Sequence, residues 1–207
     1  SGRRGFTVLT SNSMIATVAA SILKPLSNMV KSKELKLLRK KIEKANKVQD
    51  PLAAIECALP ERHLVGGDNE CTAIALSYAS QLSDCLLNQA IHLFERNMAD
   101  LYRQSSWGLD LKEKRDELSH KYARYLLLQE KSKDLVGFLH FRFCYDDDDA
   151  LEHAVLYVFE LQLHQDFRRR KYGAYLMDIA ESFCKTTGLC KVMLAVFQKN
   201  DAALRFY

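Results

Sequence analysis

Hydrophobic and polar positions along this chain recur in two periods, and the switches between them predict its elements. Between Lys31 and Lys47, Leu35, Leu38, Ile42 and Ala45 return at spacings of three and four, one apolar stripe on a helix. After Asp50-Pro51 the pattern is irregular, with Pro60 and Gly66-Gly67. Weak alternation in 71-CTAIALSY-78 predicts a first strand. Over 84–104, Leu87, Ile91, Phe94, Met98, Leu101 and Tyr102 mark a second helix, and 110-DLKEKRDELSH-120 a short third one. Strands 121-KYARYLLL-128 and 135-LVGFLHFRF-143 follow, joined by a polar turn over 129–134. A hairpin loop over 144–153 leads into a long strand from Ala154 to His164. A helix from Ala174 to Lys185, a buried strand 190-CKVMLAV-196 and the start of another helix complete the series.

This order predicts an α+β domain with a mixed, twisted sheet, an antiparallel meander feeding a parallel βαβ unit, flanked by helices. The domain is expected over 69–207, preceded by a basic helical extension over 31–68. Residues 1–30 are left unassigned, as disordered or artefactual.

Composition narrows the class. Of 207 residues, 48% are hydrophobic and 27% charged, with three prolines, as in a soluble globular protein. The net charge of +4 is too mild to dictate a partner. Six cysteines without a CxxC pair read as reduced thiols of an intracellular protein, expected in cytoplasm and nucleus. The longest apolar run near the start, 14-MIATVAASIL-23, is well short of the ~18 residues a membrane helix needs; behind Arg3-Arg4 it leaves a targeting peptide open. Eight of the seventeen residues in 31–47 are basic. That suits a segment read by nuclear-import machinery, and equally a solvated helix docked by its stripe. No membrane partner and no direct nucleic-acid readout are expected. The histidines lack metal-ligand spacing such as HExxH, so no metal is implied.

The sharpest feature is 164-HQDFRRRKYG-173, where a long strand turns into a helix through Arg168, Arg169, Arg170, Lys171 and a single glycine, Gly173. Helix-opening amides without intrahelical partners, a positive dipole end and clustered cations suit a phosphate or pyrophosphate. The loop is neither GxxxxGK[ST] nor GxGxxG, and alone it reads equally as an ordinary basic turn. Glu160 is the other oddity: a lone carboxylate between Phe159 and Leu161 in an apolar strand, either an edge residue facing water or a functional base.

The corner, together with 200-NDAALRFY-207 one helix and one strand later, resembles the GCN5-related N-acetyltransferase (GNAT) superfamily. Segments 102-YRQSSWG-108, 157-YVFELQL-163 and 191-KVMLAVF-197 are similar to its N-alpha-acetyltransferase D subfamily, which acetylates the N-terminal serine of histone four and histone two-A. The resemblance spans Lys31 to Tyr207. It implies the GNAT acyl-CoA N-acyltransferase fold and acetyl-CoA as acetyl donor, with basic histone tails as substrate. Glu160 would be the general base, with Tyr157, Trp107 and Tyr207 also catalytic, Tyr207 as proton donor to the leaving thiolate. Leu161, Gln162 and Leu163 would run beside the pantetheine arm, 168–173 including Tyr172 would hold the pyrophosphate, and Asn200 would contact the cofactor. Tyr102, Trp107, Phe159 and Ala195 would line the peptide entrance, with the acidic turn 146-DDDD-149 as its rim. The aromatics could equally be core.

Three departures bear on these expectations. Lys171 stands where the signature has its first glycine, and Phe159 where the subfamily has tyrosine. The chain is expected to end before the last strands of the sheet, exposing the apolar edge 190–196. Two rival readings stay open: a GNAT acting on lysine or a small amine, and an inert acyl-CoA-binding or interaction module.

Overall fold

The computed structural model describes residues 6–10, 29–48, 73–78, 81–130, 132–146, 153–189 and 191–207. In chain order these form β1 (Phe6–Thr10), α1 (Met29–Lys47), β2 (Ala73–Tyr78), α2 (Asp84–Arg103), α3 (Leu111–Leu118), β3 (Arg124–Gln129), β4 (Leu135–Asp146), β5 (His153–Leu163), a 3₁₀ turn (Gln165–Phe167), α4 (Tyr172–Thr186), β6 (Val192–Val196) and α5 (Asp201–Phe206). Six strands make one sheet in the order β1-β6-β5-β4-β3-β2. From β2 to β5 the neighbours are antiparallel, whereas β5 with β6 and β6 with β1 are parallel. The expected α+β architecture with a meander and a βαβ unit is therefore present.

The run Tyr125-Leu126-Leu127-Leu128 is apolar throughout because both sheet faces are covered. Leu126 and Leu128 pack with Leu38, Ile42 and Ala45 of α1 and the inner face of α4. Tyr125 and Leu127 pack on the other side with Leu87, Ala90 and Ile91 of α2 and Leu118 of α3. The greasy stripe of α1 thus docks the basic helix on the domain. Arg124, 2% exposed, fixes its end by donating to the carbonyls of Ala45, Asn46 and Val48, at the helix C-terminus where carbonyls lack intrahelical donors.

Local signals set the helix starts on the opposite face. Ser83 accepts from the Leu86 amide to open α2, and Asp110 accepts from the amides of Lys112 and Glu113 to open α3.

Several expectations change. The strand expected to end at Phe143 runs on to Asp146, into the expected loop, and the helix expected from Ala174 starts at Tyr172. A strand expected from Lys121 begins only at Arg124, because 121–122 form a turn. The edge expected to stand open at 190–196 is covered: β1, inside the unassigned first thirty residues, pairs with β6 from Phe6↔Val192 to Thr10↔Val196. The acidic turn expected to rim the entrance lies at 147–149, outside the described residues, beyond the backbone of Asp146.

Candidate active site

The site is made by two parallel strands that part company. β5 pairs with β6 only through Leu156, Tyr157 and Val158, yet continues to Leu163. The cause is a bulge. In the β4–β5 ladder His140 lies opposite Glu160 but Phe141 opposite Val158, so Phe159 is an extra residue that bends β5. Beyond it, Glu160 to Leu163 have no β6 partner, and the sheet opens into a cleft.

Two connected hollows occupy the opening. A narrow one of about 110 Å³ lies between Tyr102, Trp107, Tyr157, Glu160 and Phe197. A wider groove of about 780 Å³ runs past Leu163, Arg169, Lys171, Gly173 and Phe206. Leu161, Gln162, Asn200 and Tyr207 line both.

At the floor of the narrow hollow, Glu160 is 6% exposed. Its Oε1 accepts from Lys114 Nζ at 2.9 Å and its Oε2 from Gln162 Nε2 at 2.7 Å. Lys114, also 6% exposed, binds Glu117 Oε1 at 2.7 Å and sits 4.6 Å from the Phe94 ring centroid. Burial disfavours the Lys114 charge, but Glu160 and Glu117 outweigh it and hold the ammonium above its usual range. Burial pushes the Glu117 carboxyl up, against the pull of Lys114.

Aromatic rings wall the hollow. Tyr102 meets Phe94, Trp107 and Phe197 at 5.2, 6.2 and 5.0 Å, edge on, and Trp107 lies 5.1 Å from Phe197. Burial, then the charge of Glu160, pushes the hydroxyls of Tyr102 and Tyr207 up. Both stay phenols at neutral pH.

At the basic corner Lys171 has φ 67° and Arg169 φ 61°, a left-handed conformation that glycine adopts freely and lysine does at a cost. No side chain caps α4, so its N-terminus is open to an anion. At Gly173 a Cβ would stand 3.3 Å from Phe206 Cζ, a tight approach where the α4 start meets α5.

Expected residues distribute as follows. Arg168, Arg169, Lys171 and Gly173 line the groove. Tyr172 does not: its side chain, 2% exposed, is in the core, and its contribution to a ligand is limited to its backbone. Arg170 turns over the Phe167 ring, 5.5 Å from the centroid. Arg168 turns inward, donating to Leu163 O and, at 2.5 Å, to Asn97 Oδ1. Asn200 lines both hollows while its Oδ1 caps α5 by accepting from Ala203 N. Ala195, exposed in β6, and Phe159 border the narrow hollow.

Sequence reasoning did not single out Lys114, Glu117, Asn97 or Phe197. A signal existed for two: Lys114 continues the spacing of Leu111 and Leu118, and Asn97 that of Phe94 and Leu101, polar residues on apolar stripes.

An acyl-CoA fits this chain on two observations: β5 past the bulge offers strand backbone without a β6 partner, and the groove ends at an uncapped helix start ringed by cations. Among the described residues no group of three His, Cys, Asp or Glu could hold a metal ion, and no helix is long and apolar enough to cross a membrane.

The model of the acetyltransferase (GNAT) family matches residues 86–207, more than half of the chain, and the chain belongs to that family of acetyl-CoA-dependent acyltransferases. Similar solved structures include a GNAT-family acetyltransferase from Staphylococcus aureus Mu50, 16% identical over 65% of this chain and 81% of that one, with a TM-score of 0.50. A ribosomal-protein-alanine N-acetyltransferase from Brucella melitensis biovar Abortus 2308 is 18% identical over 66% and 87% of the two chains, with a TM-score of 0.48. An aminoglycoside acetyltransferase from an uncultured soil metagenomic sample is 19% identical over 66% and 84%, with a TM-score of 0.47. The first of these likenesses bears on the fold alone.

Proposed function

We propose that the protein transfers acetyl from acetyl-CoA to the N-terminal amine of basic peptides, with the serine-initiated tails of histone four and histone two-A as substrates. The observation that carries this reading is the placement of buried Glu160 where a narrow, aromatic-walled hollow meets the cofactor-sized groove. Acetyl-CoA supplies an activated acyl group as a thioester. Leu161, Gln162 and Leu163 border its arm, the helix start after Lys171 meets its phosphates, and Asn200 lies between the two hollows. Glu160 accepts the amine proton, directly or through a water, and Tyr207 donates one to the departing sulfur. Tyr102, Trp107, Tyr157 and Phe159 enclose an extended chain end, for which about 110 Å³ is apt and a bulky polycyclic amine is not. The histone class is supported by the resemblance of 102–108, 157–163 and 191–197. The exposed basic face of α1 suits import to the nucleus, beside a cytoplasmic pool.

One observation favours an inert module: both oxygens of Glu160 are already engaged, by Lys114 and Gln162. The test is to incubate the protein with acetyl-CoA and a Ser-Gly-Arg-Gly-Lys peptide and locate the product by mass spectrometry. Acetyl on the serine amine is expected. Acetyl on lysine overturns the N-terminal assignment, and cofactor binding without turnover points to the inert module.

A further inference from the structure

Five side chains from four parts of the fold form one continuous hydrogen-bonded line between the phosphate corner and the acceptor hollow. Arg168, in the corner, donates to Asn97 Oδ1 at 2.5 Å. Asn97, on α2, donates from Nδ2 to Gln162 Oε1 at 2.9 Å. Gln162 donates to Glu160 Oε2 at 2.7 Å, and Lys114 closes the line on Glu160 Oε1. Asn97 Nδ2 and Arg168 Nε also share Leu163 O as acceptor, which pins the end of β5.

The ends decide the direction of the line. A guanidinium only donates, and a carboxylate paired with an ammonium only accepts. Between them each amide has one consistent orientation, oxygen toward Arg168 and nitrogen toward Glu160. Turning either amide over would set oxygen against oxygen or nitrogen against nitrogen. Gln162 is only 5% exposed, so a lost partner leaves a polar group largely shielded from solvent.

We propose that Asn97 and Gln162 are positioning residues that hold the carboxylate of Glu160 and couple it energetically to Arg168 in the phosphate corner. The proposal rests on the reading of Glu160 as proton acceptor. It adds that the state of the corner reaches Glu160: an anion that draws the Arg168 guanidinium to itself releases Asn97, and with it the outer hold on Gln162. Such coupling is reciprocal for binding.

Two measurements test it, one of which needs no turnover. The ¹³C chemical shift of the Glu160 carboxyl at fixed pH reports its hydrogen bonding directly. Gln162→Leu removes the donor to Oε2, so the carboxyl resonance moves away from its position in the parent chain. Asn97→Ala moves it in the same direction by less. An unmoved resonance in both variants overturns the proposal whatever the substrate is.

The second is a double-variant cycle in kcat with the histone-tail peptide. Gln162→Leu lowers kcat about tenfold, as expected for one hydrogen bond to a charged group. Arg168→Ala lowers both kcat and acetyl-CoA affinity. In the Asn97→Ala background it lowers affinity only, because its path to Glu160 is already cut. Losses in kcat that multiply independently overturn the coupling. A carboxyl that shifts as expected while Glu160→Gln leaves turnover unchanged sinks the proton-acceptor reading and leaves the line of contacts standing.

Discussion

His140 of β4 stands directly opposite Glu160 of β5, while the next residue of β4, Phe141, faces Val158. The skipped residue, Phe159, lays its ring on His140 at 5.1 Å, and the guanidinium of Arg142 lies 4.3 Å from the same ring. On its far side His140 stacks on Tyr125 at 5.0 Å. The bulge that presents Glu160 and ends the β5–β6 pairing is therefore clamped from below by a stack reaching back to β3.

Phe159→Tyr tests which way that ring serves the site. The stack needs an aromatic face, which tyrosine also has, so stability should stay within about 0.5 kcal/mol of the parent in urea unfolding. If the ring edge borders the peptide entrance, the added hydroxyl lowers KM for the histone-tail peptide several-fold with kcat little changed. A loss of stability above about 2 kcal/mol would place the ring edge in packed core instead.

The stack also makes a pH prediction. Both ring nitrogens of His140 are buried without a hydrogen-bond partner among the described residues. Burial first, then Arg142, Lys114 and His120, depresses its pKa well below the usual value. A depressed folded pKa contributes stability that is present above the unfolded value, near ~6.5, and lost as pH falls below it. Stability should decline at up to about 1.4 kcal/mol per pH unit through that window. His140→Phe keeps the stack and removes the titration. Its melting temperature should fall less between pH 7 and pH 5 than the parent's, and equal declines would refute the assignment to His140.

The meander and the βαβ unit were legible because their periods are strong and their strands are covered on both faces. The basic corner was legible in composition, as a cluster of cations before one glycine, but not in backbone: the left-handed conformation of Lys171 at φ 67° was not read from the sequence. The ion-pair network was not. Lys114 sits among Lys112, Glu113 and Arg115 on a short, highly charged helix, and local pattern favours a solvated face. Only packing of α3 against α2 and β5 buries it, and Glu160 makes that burial tolerable. β1 was missed for a related reason: five residues offer too little periodicity, and their partner β6 lies more than 180 positions away.

Lys171 puts two effects in opposition. Lys171→Gly relieves a left-handed non-glycine residue, about 1–2 kcal/mol, partly offset by the greater freedom of glycine in the unfolded chain. A net gain of roughly 0.5 kcal/mol, or a melting temperature higher by about 1–2 °C, is expected. The lost cation weakens acetyl-CoA binding at low salt, and the deficit narrows as salt rises. Lys171→Ala removes the same cation without relieving the backbone, so it should match the glycine variant in affinity but not in stability. Unchanged affinity in both at low salt, by calorimetry, removes Lys171 from the phosphate site.

Glu160 and Lys114 differ in what each leaves behind, and that ordering tests both the structure and the chemistry. Glu160→Gln leaves Lys114 paired with Glu117, and the amide can still meet Gln162. Lys114→Met leaves two carboxylates buried together without the ammonium they share. Removing one partner of a buried pair costs about 3–5 kcal/mol, so Lys114→Met should lower stability far more than Glu160→Gln in urea unfolding. In turnover the order reverses in clarity. A peptide α-amine titrates near ~8, so freeing it at pH 7 costs about 1 kcal/mol, against about 4–5 kcal/mol for a lysine amine near ~10.4. An enzyme for α-amines needs only a modest base. Glu160→Gln should slow acetylation of the serine amine roughly 100-fold at pH 7, with acetyl-CoA affinity near that of the parent. Much of the loss should return by pH 9, where solution supplies the free amine. A deficit equally large at both pH values would show that Glu160 holds the substrate or the strand, and its part as proton acceptor would fall.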